Sequence, residues 1–290
     1  MIERKIHIFR RQDASLTPTE AALLHRLVRL MRAEEYEEVI EICDTLEAGD
    51  PSLANPRLRS LLGQALINAG PQNSERAREC FRQAESMNFR DIPMMRSWYY
   101  METRSGYGLE EAKRICRTLI AMPSATGRLK SEFVSKLAWC FFSEAQSLSS
   151  VSLEKAVPLY RTSIENYLEA LWLAEQVPGM SVIENLGWIE RPINSFLRML
   201  RGDINPYVKM IEELPSFGHD VSLEGAKALI RGLVNAFIPS DDRTRRKTAG
   251  MFTRAVGRLD KTIKDPDDYP GFSYIIEVME KFSERLLSTP

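Results

Sequence analysis

The sequence predicts an all-α protein built from antiparallel helical hairpins, and three observations carry that expectation. Apolar residues recur at three- and four-residue steps along most of the chain, as in Tyr36, Val39, Ile40, Cys43 and Leu46, which places them on one face of a helix. Helix starts and stops alternate at short range, with hydroxyl caps, early prolines and Gly-Pro exits. The equivalent positions Val39, Ala77, Ala112, Ala156 and Ala226 are separated by 38, 35, 44 and 70 residues, the last being twice 35. A period in the mid-thirties is the mark of a helical repeat.

The first hairpin begins at Thr17-Pro18-Thr19-Glu20, where a threonine cap and an early proline suit a helix N-terminus, and continues through Leu23, Leu24, Leu27, Val28, Leu30 and Met31. A turn near Arg32 to Glu35 leads into AEEYEEVIEICDTLEAGDP, residues 33–51, whose Gly49-Asp50-Pro51 predicts the exit. In the second hairpin Leu61 to Leu66 runs out, Gly70-Pro71 turns, and Glu75 to Ala84 runs back. A third has Met95 to Arg104 outward, Gly106-Tyr107-Gly108 as turn, and a return from Leu109 to about Met122 before Pro123. A fourth has Phe133, Val134, Leu137, Ala138 and Phe141 outward, a connection through Ser147 to Ser150, and a return from Ser152. Three return helices share a spelling, with alanine four residues after a Gly or Ser start, in Gly108 to Lys113, Ser152 to Val157 and Ser222 to Lys227.

These units resemble the tetratricopeptide repeat family. The first is similar to it through Tyr36, Val39, Cys43 and Pro51, the second through Leu62, Gly63, Gly70, Ala77, Phe81 and Ala84, and the fourth through Leu137, Ala138, Ala156 and Tyr160. Leu27 and Tyr99 depart from the pattern, since a small residue is expected there, as does the longer connection at 147–151. The resemblance implies a right-handed α-solenoid over residues 17–175, following an N-terminal arm at 1–16 and preceding divergent helical repeats and capping helices at 176–290. In that last part Gly179, Pro192, Pro206, Pro215 and Gly218 punctuate short segments such as Ile193 to Leu200 and Tyr207 to Leu214. Pro239-Ser240-Asp241-Asp242 is expected to start a helix that reaches about Lys264. After Asp265 to Gly271, a final helix from Phe272 to Leu287 carries Ile275, Ile276, Met279, Phe282 and Leu286 as an apolar stripe for docking.

Composition narrows the function. With 39 Lys and Arg against 40 Asp and Glu among 290 residues, no global field draws the chain to polyanions or to an anionic membrane. The 44% hydrophobic and 27% charged fractions belong to a folding, soluble chain. The N-terminal MIERKIHIFRRQD lacks the unbroken apolar core of a signal peptide, and no apolar run approaches the ~18–20 residues that span a bilayer. Cys43, Cys80, Cys116 and Cys140 form no CxxC pair, which fits a reduced cytoplasmic location.

Chemical motifs are weak. Glu34 with Glu38 and Glu37 with Glu41 have the spacing of paired acids, but they fall mostly off the apolar face, so a solvated helix surface is the expected reading. Cys43, Cys80 and Cys116 recur at near-equivalent positions, as small buried hydrophobes do, and only His7, His25 and His219 stand as bases. Ser152-Leu153-Glu154-Lys155 spells SxxK without companion motifs, and reads as an N-cap. No P-loop, HExxH, EF-hand or GxGxxG appears, so neither catalysis nor a cofactor nor a metal is expected.

Two surfaces remain. The family resemblance implies a concave groove lined by the outward helices, with Arg57, Gln64, Asn68, Arg96, Tyr100, Arg104 and Trp139 in it; its arginines and aromatics suit an acidic or aromatic-bearing protein or peptide segment as the partner. An adaptor or scaffold role follows. The alternative is a nucleic-acid-associated regulator that uses Arg243, Lys247, Arg254, Arg258 and Lys261, which fall within about 60° of one another on an ideal helix and extend about 27 Å. A solvated face beside Asp241, Asp242 and Asp260 is the plainer reading of that stripe.

Overall fold

The computed structural model of the chain describes residues 17–49, 55–104, 108–180, 183–214, 220–236, 241–262 and 269–288. The expected arm at 1–16 with His7, and the turn or breaker residues Asp50-Pro51, Gly106-Tyr107, Pro215 to His219, Pro239-Ser240 and 265–268, lie outside them. Among the described residues there are thirteen α-helices, one short 3-10 turn and no strand. The chain divides into two compact units, Met1–Gly108 and Leu109–Pro290.

In the first unit, Thr17 accepts the Glu20 N–H while Glu20 reaches back to the Thr17 N–H at 2.7 Å, a reciprocal cap that starts α1 (Pro18–Arg32). Glu34, at φ 62°, reverses the chain into α2 (Tyr36–Gly49). Asn55 caps α3 (Pro56–Ala69), and the 3-10 turn Pro71–Asn73 leads to α4 (Ser74–Ser86), followed by α5 (Ile92–Arg104). The order and turns match the hairpins read from the sequence. α1 packs on α2 and α3, α2 on α3, α3 on α4 and α5, and α4 on α5.

Gly63 shows why a small residue stands in α3. A Cβ there would lie 2.5 Å from the Phe81 ring, and that ring stacks on Trp98 at 5.6 Å, so α3, α4 and α5 meet at one point. Leu62, Leu66, Ala77, Met94 and Met95 of the same three helices are buried. Leu27 and Tyr99, the two large residues at expected small positions, are both buried and become part of the core.

The second unit comprises α6 (Leu109–Ala121), α7 (Gly127–Ser149), α8 (Leu153–Glu175), α9 (Ile183–Met199), α10 (Asn205–Glu213), α11 (Leu223–Ala236), α12 (Asp242–Thr262) and α13 (Pro270–Ser288). The long pair α7 and α8 is tied by two buried hydroxyls, Ser131 donating to the Ala170 carbonyl and Ser163 to the Ala138 carbonyl, both at 2.8 Å. Ser152 caps α8. Pairings then run α8 with α9, α9 with α11, α11 with α13, α10 with α12, and α12 with α13.

The expected break at Pro192 does not occur, for α9 runs through it from Ile183 to Met199. Ile189, Ile193, Phe196 and Leu197 form one buried stripe on both sides of the proline, and Phe196 stacks on Tyr160 at 5.5 Å. Burying four such side chains outweighs the ~3 kcal/mol an interior proline costs. The last helix docks as expected. Ile275, Met279 and Leu286 are buried, while the Asp220 carboxylate accepts the N–H groups of Gly271 and Phe272 at 2.9 and 3.1 Å. A Cβ on Gly271 would fall 1.8 Å from the Val221 carbonyl oxygen, so only glycine allows that approach.

Candidate functional site

Two of the carboxylates around Cys43 act as ties between helices. Glu38 of α2 pairs with Arg26 of α1 at 2.7 Å, Asp44 pairs with Arg76 of α4, Glu37 and Glu41 are exposed, and Cys43 is buried. Among the described residues no group of His, Cys, Asp and Glu is arranged to hold a metal ion. No helix among them is long and apolar enough to cross a membrane.

Six of the seven residues expected in a groove fall on two adjacent helices of the first unit, α3 and α5. Arg57 occupies the first turn of α3, and its charge acts on the carboxyl of Asp91, which accepts the Met94 N–H at 2.8 Å at the start of α5. The two helix N-termini therefore lie together. Burial pushes the Asp91 carboxyl above its ordinary range, against the opposing pull of that N–H and of Arg57. Gln64 donates to the Ser60 carbonyl and hydroxyl at 3.3 and 3.1 Å, and Asn68 to the Gln64 carbonyl at 2.8 Å, so both amides fold back on α3. On α5, Arg96 is half-buried, Tyr100 is 43% exposed with its ring edge-on to Tyr99, and Arg104 is exposed in the last turn. Trp139 belongs to α7 in the second unit, where it is half-buried and packs against that unit's core.

All five residues of the basic stripe are exposed on α12. Asp241 is spent as the cap, accepting the N–H and hydroxyl of Thr244 at 2.8 and 2.7 Å. Asp242 pairs with Arg245 and Arg246, which lie outside the stripe. Arg258 pairs with Glu212 of α10. Arg243, Lys247, Arg254 and Lys261 form no ion pair among the described residues.

Sequence reasoning missed the polar contacts held inside each unit. Glu102, 2% exposed, accepts from Arg78 at 2.7 and 3.0 Å and from the Trp98 indole N–H at 3.0 Å. These bonds raise the Arg78 guanidinium further above its ordinary value. The available signal was a carboxylate four residues after Trp98, on the apolar stripe of α5. In the second unit Lys113 is buried, bonds to Glu110 and to Glu144 at 2.9 Å, and lies 5.1 Å from the Phe141 ring centre. Burial lowers the Lys113 pKa, and the two carboxylates more than offset this, leaving it raised. Cys116 and Cys140 are neighbours, and burial together with the second thiol pushes the Cys116 thiol far above its ordinary value, which makes it a poor nucleophile.

Compared with known proteins, the chain matches no family model, no curated protein and no solved structure.

Proposed function

We propose that the protein is a non-enzymatic adaptor that holds an acidic segment of a partner protein along α3 and α5, and that its first unit is a right-handed, tetratricopeptide-like array. The observation that carries this reading is the packing of α3 beside α5, with Arg57, Gln64 and Asn68 on one and Arg96, Tyr100 and Arg104 on the other at helical spacing. The α5 row from Pro93 through Arg96 and Tyr100 to Arg104 contains no acid, so it favours carboxylates over basic segments. Tyr100 adds a ring that loses little entropy on contact. Buried cysteines without a CxxC pair fit work in the reducing cytoplasm. The test is affinity capture with the whole chain and with Arg96→Glu plus Arg104→Glu, compared at equal helical circular dichroism. Loss of the captured protein in the double variant is expected, and unchanged capture refutes the assignment.

A second reading has its own support in the four cations of α12 that form no ion pair among the described residues. They suit the phosphates of a nucleic acid, and the salt dependence of binding distinguishes this reading from the first.

A further inference from the structure

The turn between α7 and α8 leaves two large apolar side chains in water, Val151 at 80% and Leu153 at 52% exposure. Both rim an open cleft of about 740 Å³ whose other wall is the end of α9, with Ser195, Arg198, Met199 and Arg201. Tyr160 closes part of its floor, 2% exposed and stacked on Phe196. Among the described residues no Asp or Glu lines the cleft. Arg198 and Arg201 are exposed and form no ion pair among the described residues, Arg198 donating through Nε only to the Asn194 carbonyl of its own helix at 3.2 Å.

We infer that this cleft is a second docking site, for a short protein segment that carries a carboxylate next to an apolar side chain. Charge complementarity selects the occupant. Two guanidinium groups with no acid among the lining residues attract a carboxylate and repel a basic segment. The apolar rim adds a requirement that a free phosphate or a nucleic-acid backbone does not meet, because Val151 and Leu153 leave water only against another apolar group. Along the wall Ser150 and Ser195 provide hydroxyls for the segment's backbone, while Ser149 donates to the Gln146 carbonyl and Ser152 caps α8. The cleft lies within the second unit and does not depend on α3 and α5.

The experiment is selection from a phage-displayed random peptide library against the whole chain, followed by fluorescence anisotropy with the selected peptides. Enriched peptides are expected to place Asp or Glu within a residue or two of Leu, Ile, Val or Phe. Their affinity should fall about tenfold or more in Arg198→Glu plus Arg201→Glu, the loss of charged hydrogen bonds. Val151→Ser plus Leu153→Ser should also weaken them, and Tyr100→Ala plus Arg104→Glu should not, which separates this site from the α3 and α5 surface. All of these side chains are exposed, so circular dichroism should be retained. The proposal is overturned if no acidic and apolar peptides are enriched, or if those selected bind the arginine variant as well as the parent. It is also overturned if an oligonucleotide, and no peptide, loses binding in that variant.

Discussion

Arg78 grips both carboxylate oxygens of Glu102, at 2.7 Å through Nε and 3.0 Å through Nη2, across the contact between α4 and α5. The Trp98 indole supplies a third donor to the same carboxylate at 3.0 Å. Glu102 is buried, while Arg78 is part-buried and also pairs with Glu75, so losing the carboxylate strands the buried Trp98 N–H and part of the desolvated guanidinium. Glu102→Ala should therefore lower the stability of the first unit by roughly 3 kcal/mol, read from urea denaturation. Replacing both partners, Glu102→Leu with Arg78→Met, should cost clearly less than Glu102→Ala alone. Equal losses would show that shape, and not charge, holds this contact.

Gly63 gives a second test of the same junction. The Cβ of Gly63→Ala would fall 2.5 Å from a Phe81 ring that is fully buried and stacked on Trp98, so a packed ring must shift to admit it. Overpacking of this kind costs roughly 1–3 kcal/mol. Gly63→Ala combined with Phe81→Leu should recover part of the loss, because the smaller side chain gives the methyl its space. A thermal melt that does not move in the single variant would refute the close approach.

These two contacts mark the limit of what the chain discloses linearly. Thr17, Gly70-Pro71 and the stripe around Leu62 and Phe81 are local signals, and they located the helices of the first unit to within a few residues. The partner of Glu102 lies 24 residues away on another helix and becomes definite only when α4 meets α5. Pro192 read as a stop because its local cost is visible in sequence, whereas the burial of Ile189 and Phe196 that overrides it is tertiary. Val151 reads as part of a connection and Leu153 as the start of a return helix, and nothing in their order reveals that the core leaves them out while Arg198 stands nearby.

Asp91 supplies a pH signature. Its folded pKa is raised by burial above the ordinary value of 3.8, so the folded state binds that proton more tightly than the unfolded chain does. The group's contribution favours folding below the ordinary value and is lost as pH rises through the folded pKa, leaving a cost at neutral pH. Asp91→Asn keeps an oxygen for the Met94 N–H and removes the charge. The variant's stability relative to the parent should improve from acid toward neutral pH. A flat difference would show that these effects cancel, and a falling one that the Met94 N–H and the Arg57 charge outweigh burial.

The stripe on α12 yields a prediction with a slope. Arg243, Lys247, Arg254 and Lys261 form no ion pair among the described residues, so a nucleic-acid backbone lying along α12 would displace about one counterion for each phosphate they neutralise. Four such contacts on a duplex of about 20 base pairs predict that the logarithm of the binding constant falls with the logarithm of salt at a slope near −3.6. Lys247→Glu with Arg254→Glu should make that slope shallower and weaken binding at every salt concentration, with little change in sequence preference, because phosphate contacts do not read bases. Fluorescence anisotropy across a salt series measures both quantities. Absence of any complex at the lowest salt would remove nucleic acid from consideration and leave the stripe as a solvated helix face, whose charges serve solubility and, in the pair of Arg258 with Glu212, help orient α12.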